Sequence, residues 1–151
     1  MSNYDERQRD IHGTAMMIGN AGYAVLLVLL VLVREPLSQY LAFETQLYLC
    51  LLLPILAEWT YMILNNAVDG LDGKPGKLHA VSLAVFAVAA AVAAFRTISG
   101  LGQLGDFQGG LPDELVQMLI RRLTVLLCTG LPVVLYAIRK HMNRKEDESV
   151  V

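Results

Sequence analysis

AMMIGNAGYAVLLVLLVLV, residues 15–33, is a run of 19 residues without a single charge. At about 1.5 Å of rise per residue it makes about 28 Å of helix, close to the roughly 30 Å hydrocarbon core of a bilayer. We therefore read it as a transmembrane helix and work outward from it. A second apolar run, residues 47–64, contains Pro54 and Glu58 and carries Trp59 and Tyr61 near its far end, where interface aromatics belong. The third, residues 78–95, is flanked by His79 and Arg96 and holds eight alanines between Ala80 and Ala94. The fourth begins at Pro112, a good first-turn residue, with Asp113 and Glu114 at the positive end of the helix dipole. Arg121 and Arg122 interrupt it before the uncharged stretch 123–138, so both arginines are expected to snorkel to the interface while the helix continues.

The expected fold is thus all-α: an integral membrane bundle of four transmembrane helices over about 15–33, 47–64, 78–95 and 117–138. Residues 1–14 form a cytoplasmic N-terminal segment and 139–151 a charged cytoplasmic tail that frays. Between the spans, 65–77 is rich in turn residues, and the glycine-rich stretch 97–111 is expected to lack regular structure. The polar leader has no small-residue cleavage site after the first run, so the first helix is expected to stay attached.

Composition agrees. A length of 151 residues suits one domain. With 55% apolar and 17% charged residues and a mean hydropathy of +0.49, the chain has too little charge for a water-facing surface, where about 25% is usual. The net charge of −2, spread over several segments, excludes the massed basic face that nucleic acid requires. Cys50 and Cys128 lie inside apolar runs and read as small apolar fillers.

Orientation follows from lysine and arginine, which are retained on the cytoplasmic side. Arg7, Arg9, Lys74, Lys77, Arg139, Lys140, Arg144 and Lys145 fall on one side; Arg34, Arg96, Arg121 and Arg122 fall on the other. Both ends are therefore expected inside.

Glu58 draws attention first, because a carboxylate inside a span costs on the order of 2.5–3.5 kcal/mol by insertion scales. Pro54, Glu58, Tyr61 and Asn65 share one helical face, and Pro54 removes the donor to the Cys50 carbonyl. A proton or cation site is one reading. A packing bond from Glu58 to Asn20, Tyr23 or a group of the third helix is the other. Small residues mark two packing seams: Ala15, Gly19 and Gly22 in the first helix, and Ala80, Ala84, Ala87, Ala91 and Ala94 in the third. Gly130 and Pro132 suggest a kink in the fourth.

Enzymatic signatures are missing. His12, His79 and His141 sit at three separate boundaries, no metal cluster is expected, and no nucleophile elbow, phosphate loop or flavin fingerprint appears. No cofactor is expected. The loop NNAVDGLDG, with Asp69 and Asp72, resembles locally the Asp-Asp motif of polyprenyl-phosphate sugar-phosphate transferases, which implies magnesium at a membrane face. Those enzymes have many more helices, and Asp-Gly twice is first a turn signal.

The opening Tyr4-Asp5-Glu6-Arg7-Gln8-Arg9-Asp10-Ile11 resembles the start of a group of small bacterial four-helix membrane proteins that share Asp-Glu-Arg. The resemblance implies a bacterial inner-membrane location and, because such genes often accompany helix-turn-helix regulators, a regulatory or stress-linked role. Asp5, Glu6, Arg7, Arg9 and Asp10 could pair in alternation on a helix extending into the cytoplasm.

Three functional expectations stand together. The first is a non-enzymatic assembly, regulatory or accessory subunit that meets the lipid bilayer, further copies of itself, or a membrane or cytoplasmic protein. The second is a small oligomeric proton-coupled transporter or channel using Glu58, by analogy with small multidrug exporters, whose glutamate lies in the first helix. The third is a lipid-linked phosphotransferase using Asp69 and Asp72.

Overall fold

The computed structural model describes residues 5–69, 74–102 and 113–149, with side chains to Arg144. It is all-helical there: α1 (Glu6–Ser38), α2 (Phe43–Leu64), α3 (Lys77–Gly102) and α4 (Asp113–Ser149). Each contains a window long and apolar enough to cross a membrane. The helices are longer than the apolar runs, and each extension has a local cause.

At the start of α1, Asp5 is the N-cap. Its carboxylate accepts from the Gln8 backbone N–H at 2.7 Å, and the Gln8 side chain accepts from the Asp5 N–H at 3.3 Å. This reciprocal capping box satisfies two orphan donors, so helix begins well before Ala15. Among the described residues no ion pair joins Asp5, Glu6, Arg7, Arg9 and Asp10; the motif serves the cap. α3 passes through Thr97 to Gly102, where irregular chain was expected. There the hydroxyls of Thr97 and Ser99 donate to the carbonyls of Ala93 at 2.7 Å and Phe95 at 2.9 Å, which keeps them satisfied inside a helix. The tail expected to fray is helical to Ser149. Pro112 lies outside the described residues, and α4 continues as helix through Gly130 and Pro132.

By backbone approach the helices run in a row, α1 against α2, α2 against α4 and α4 against α3, and at one end of the bundle rings also join α3 to α1 and α2. One face of the bundle gathers the start of α1, the end of α2, the start of α3 and the late turns of α4. The core sits at that end: Ala15, Trp59, Met62, Ile63, Ala67 and Val68 are buried together. Farther along, Val25, Val28 and Val31 of α1 and Val81, Val85 and Val88 of α3 stay uncovered. Apolar surface of that extent is compatible with a multi-pass membrane protein.

The two small-residue seams are used differently. Ala15 and Gly19 are buried in α1. A Cβ on Gly22 would stand 3.2 Å from the Pro54 ring, and one on Gly19 would stand 2.7 Å from Glu58 Oε2. α2 therefore fills this groove with side chains. In α3, Ala80, Ala84, Ala87 and Ala91 are uncovered, and Ala94 is half-buried. The surface that α4 covers is instead Ala93, Thr97 and Gly100. It is chosen by Arg122 of α4, whose guanidinium lies against Gly100 and donates to the Arg96 carbonyl.

Candidate functional site

The site begins where α2 stops. Asn66 takes the left-handed conformation at φ 56°, tolerable for asparagine. Beyond it the Ala67 N–H donates to the Met62 carbonyl at 2.9 Å, and the Asn66 N–H donates to that of Ile63 at 3.1 Å. These two bonds make a Schellman C-cap, which turns the chain back and buries Ala67 and Val68 across the end of the bundle.

Three helices then grip the turn. From α1, Gln8 Nε2 donates to the Asp69 carbonyl at 2.9 Å, and His12 Nε2 donates to the Ala67 carbonyl at 2.7 Å. From α3, His79 hydrogen-bonds the Val68 backbone. From α4, the Tyr136 hydroxyl donates to Asp69 Oδ1 at 2.6 Å; Arg139 Nε and Asn143 Nδ2 donate to Asn66 Oδ1 at 3.0 and 3.1 Å. The helical tail is held by these last two contacts. Asp69 also bridges to Pro75, which closes the loop. Side chains of α1, α3 and α4 thus converge on residues 65–69, and this turn at the end of α2 is a keystone among the described residues.

Beside this keystone lies a ring stack that the sequence had put at separate boundaries. His12 and His79 have centroids 4.9 Å apart, and Trp59 meets His79 edge-on at 5.6 Å and Phe86 at 5.1 Å. The correction is topological: α1 and α3 both start on the same face, which brings the two imidazoles together. His141, on α4, lines a different cavity of about 820 Å3 with Gln8, Asp69, Tyr136, Lys140 and Arg144.

Glu58 is half-buried between α1 and α2, with its carboxylate in the space that the missing Gly19 side chain leaves. It lies within electrostatic reach of His12 and of Tyr23. Asn20 is elsewhere: it is uncovered, and among the described residues its amide has no hydrogen-bond partner. Tyr61 packs against the core cluster, and the Asn65 amide donates to the Tyr61 carbonyl at 2.9 Å. The structure therefore assembles Glu58 with Gly19, Pro54 and His12, and leaves Asn20 outside that group. Asp69 is held by Tyr136, while Asp72 lies outside the described residues. Among the described residues no three His, Cys, Asp or Glu side chains come close enough to hold a metal ion.

Chemically, the group offers a carboxylate, two imidazoles and a phenol–carboxylate pair along one end of the bundle. Such groups can hold or pass protons, and nothing among them is arranged as a nucleophile with its base. Compared with protein-family models, curated proteins and solved structures, the chain gives no match.

Proposed function

We propose that the protein is a non-enzymatic integral membrane subunit that works by assembling with other transmembrane helices, with both ends in the cytoplasm of a bacterial inner membrane. The observation that carries this reading is that the helices at the ends of the row leave their helix-binding features uncovered. α3 presents Ala80, Ala84, Ala87 and Ala91, and α1 presents the unpartnered amide of Asn20. In hydrocarbon, small residues let a second backbone approach, and a short amide gains about 0.6–2 kcal/mol by bonding across helices. Asn20 lies about 7.5 Å inside the apolar run by helical rise, too deep for its short side chain to reach headgroups. The keystone supports the same reading, because it ties α1, α3 and α4 to the end of α2 while the two faces stay uncovered.

The test is crosslinking in lipid. Ala84→Cys protein, with Cys50 and Cys128 replaced by Ala, should form disulfide-linked species in vesicles at lipid dilutions where Leu127→Cys protein, altered on the exposed side of α4, stays single. A lone monomer in both, with no partner recovered by crosslinking from native membranes, would remove the basis of the proposal.

A proton-coupled transporter is the second reading, favoured by the half-buried Glu58 carboxylate beside His12 and, through it, His79. Glu58→Gln should then abolish proton-linked flux in vesicles while helix content stays constant. Flux equal to that of the wild type would reject this role.

A further inference from the structure

The face opposite the keystone holds a concentration of arginines. The end of α3 and the start of α4 meet there, with Tyr48 of α2 beside them, around a cleft of about 480 Å3. This volume is within the roughly 300–1,000 Å3 typical of small-ligand sites. Its walls are apolar, from Val92 and Ala93 on α3 to Met118 and Val125 on α4, and its rim is Arg96, Arg121 and Arg122.

Two of the three guanidiniums are positioned by the fold. Arg122 donates through Nη1 to the Arg96 carbonyl and rests on Gly100, where a Cβ would come within 2.7 Å of that nitrogen. Arg121 pairs with the Glu44 carboxylate of α2. Arg96 is uncovered, and among the described residues its side chain has no partner. Setting Glu44 against Arg121 leaves two positive charges over an apolar wall. Each arginine fork has five donors, and the contacts above use one each from Arg121 and Arg122.

From this geometry we infer that the cleft between α3 and α4 is a binding site for an anionic phospholipid. Its phosphate lies between Arg96 and Arg122, and the upper part of an acyl chain lies along Val92 and Val125. The two halves of the site match the two halves of such a molecule. Planar guanidiniums match phosphate oxygens bidentately, and an apolar wall continuous with the membrane-facing surface accepts a chain without desolvating any polar group. A free anion would use only the rim. Gly100 is the specificity-setting residue for the headgroup: it has no side chain at the point where Arg122 must lie flat. The site is independent of the assembly reading, since its residues lie apart from the alanine seam and from Asn20.

Native mass spectrometry tests this, with the full chain released from bilayers of equal parts phosphatidylglycerol and phosphatidylcholine. The wild type should retain phosphatidylglycerol preferentially, and Arg96→Gln/Arg122→Gln should lower that preference about tenfold with helix content unchanged. Gly100→Ala keeps every charge but displaces the Arg122 fork, so a smaller fall in preference is expected. It also keeps the test decisive if the double variant does not fold. Equal retention of the two lipids by the wild type overturns the assignment. So does an unchanged preference in Gly100→Ala and Arg96→Gln proteins. Displacement of the retained lipid by millimolar inorganic phosphate would overturn it in favour of a soluble anion.

Discussion

The Gly19–Gly22 groove of α1 is filled by α2, whereas the Ala80–Ala91 seam of α3 stays uncovered among the described residues. Both are rows of small residues in apolar helices, and the difference lies in what stands beside each row. Next to the glycines, Gln8 and His12 reach the backbone of the α2–α3 turn, so α1 is pinned where its groove receives Pro54 and Glu58. In α3, Arg122 and Gly100 pin α4 on another face, and the alanines are turned away. Small residues permit close approach; the polar contacts at the helix ends decide which row is closed.

Breaking the filled groove should have the largest effect. Gly22→Leu forces a branched side chain into a space already occupied by a proline ring, and overpacking of this kind costs about 1–3 kcal/mol or more. The expected outcome is a lower midpoint for thermal loss of helix packing in detergent. Ala84→Leu, on the uncovered seam, should change that midpoint little, within about 0.5 kcal/mol, since surface substitutions usually do. If the two variants behaved alike, the contrast between the seams would be lost. Gly22→Ala against Gly19→Ala sharpens it. The first meets a ring fixed in a helix at 3.2 Å, and the second meets the far end of a glutamate that can swing away. Gly22→Ala should therefore be the more damaging, and Glu58→Ala should rescue only Gly19→Ala.

Next in size are the contacts that pin the groove. Asn66→Ala strains a left-handed residue and removes the acceptor shared by Arg139 and Asn143; Asn66→Gly relieves the backbone but still lacks that acceptor. Backbone strain at such positions costs on the order of 1–3 kcal/mol, so the alanine variant should be the less stable by denaturant titration. Tyr136→Phe removes the bond to Asp69 and should cost less, about 0.5–1.5 kcal/mol, read by faster amide exchange in the turn. The smallest effect on stability belongs to Asn20→Val. It should leave the single chain intact and weaken association alone, measured by energy transfer between labelled copies in vesicles.

The four helices were legible because uninterrupted apolar length is a strong signal that needs no partner to interpret. Their ends were not, since they depend on side chains acting on backbone: Asp5 with Gln8, Thr97 on Ala93, Arg139 and Asn143 on Asn66. The Asp-x-x-Gln spacing from Asp5 to Gln8 was a readable capping signal. Glu58 was visible as a charge within an apolar run, yet its neighbours were not, because helical spacing reports one helix at a time. The sequence put Asn20 and Tyr23 within its reach, and the structure sets His12 nearby and Asn20 outside. The pairing of His12 with His79 follows from the parity of the helix ends, and the keystone from a left-handed asparagine that any Asn-Asn pair can hide.

The keystone also imposes an order on how the chain is made. Gln8 leaves the ribosome early, but its acceptor on Asp69 is 61 residues further along. At about 5–20 residues per second that interval is several seconds. Until Glu58 is made the glycine groove of α1 stays open, and until Asp69 follows the capping glutamine lacks this bond. Only when α2 has entered and turned at Asn66 can the start of α1 lock onto it. Insertion of the first hairpin is thereby timed by its last residues.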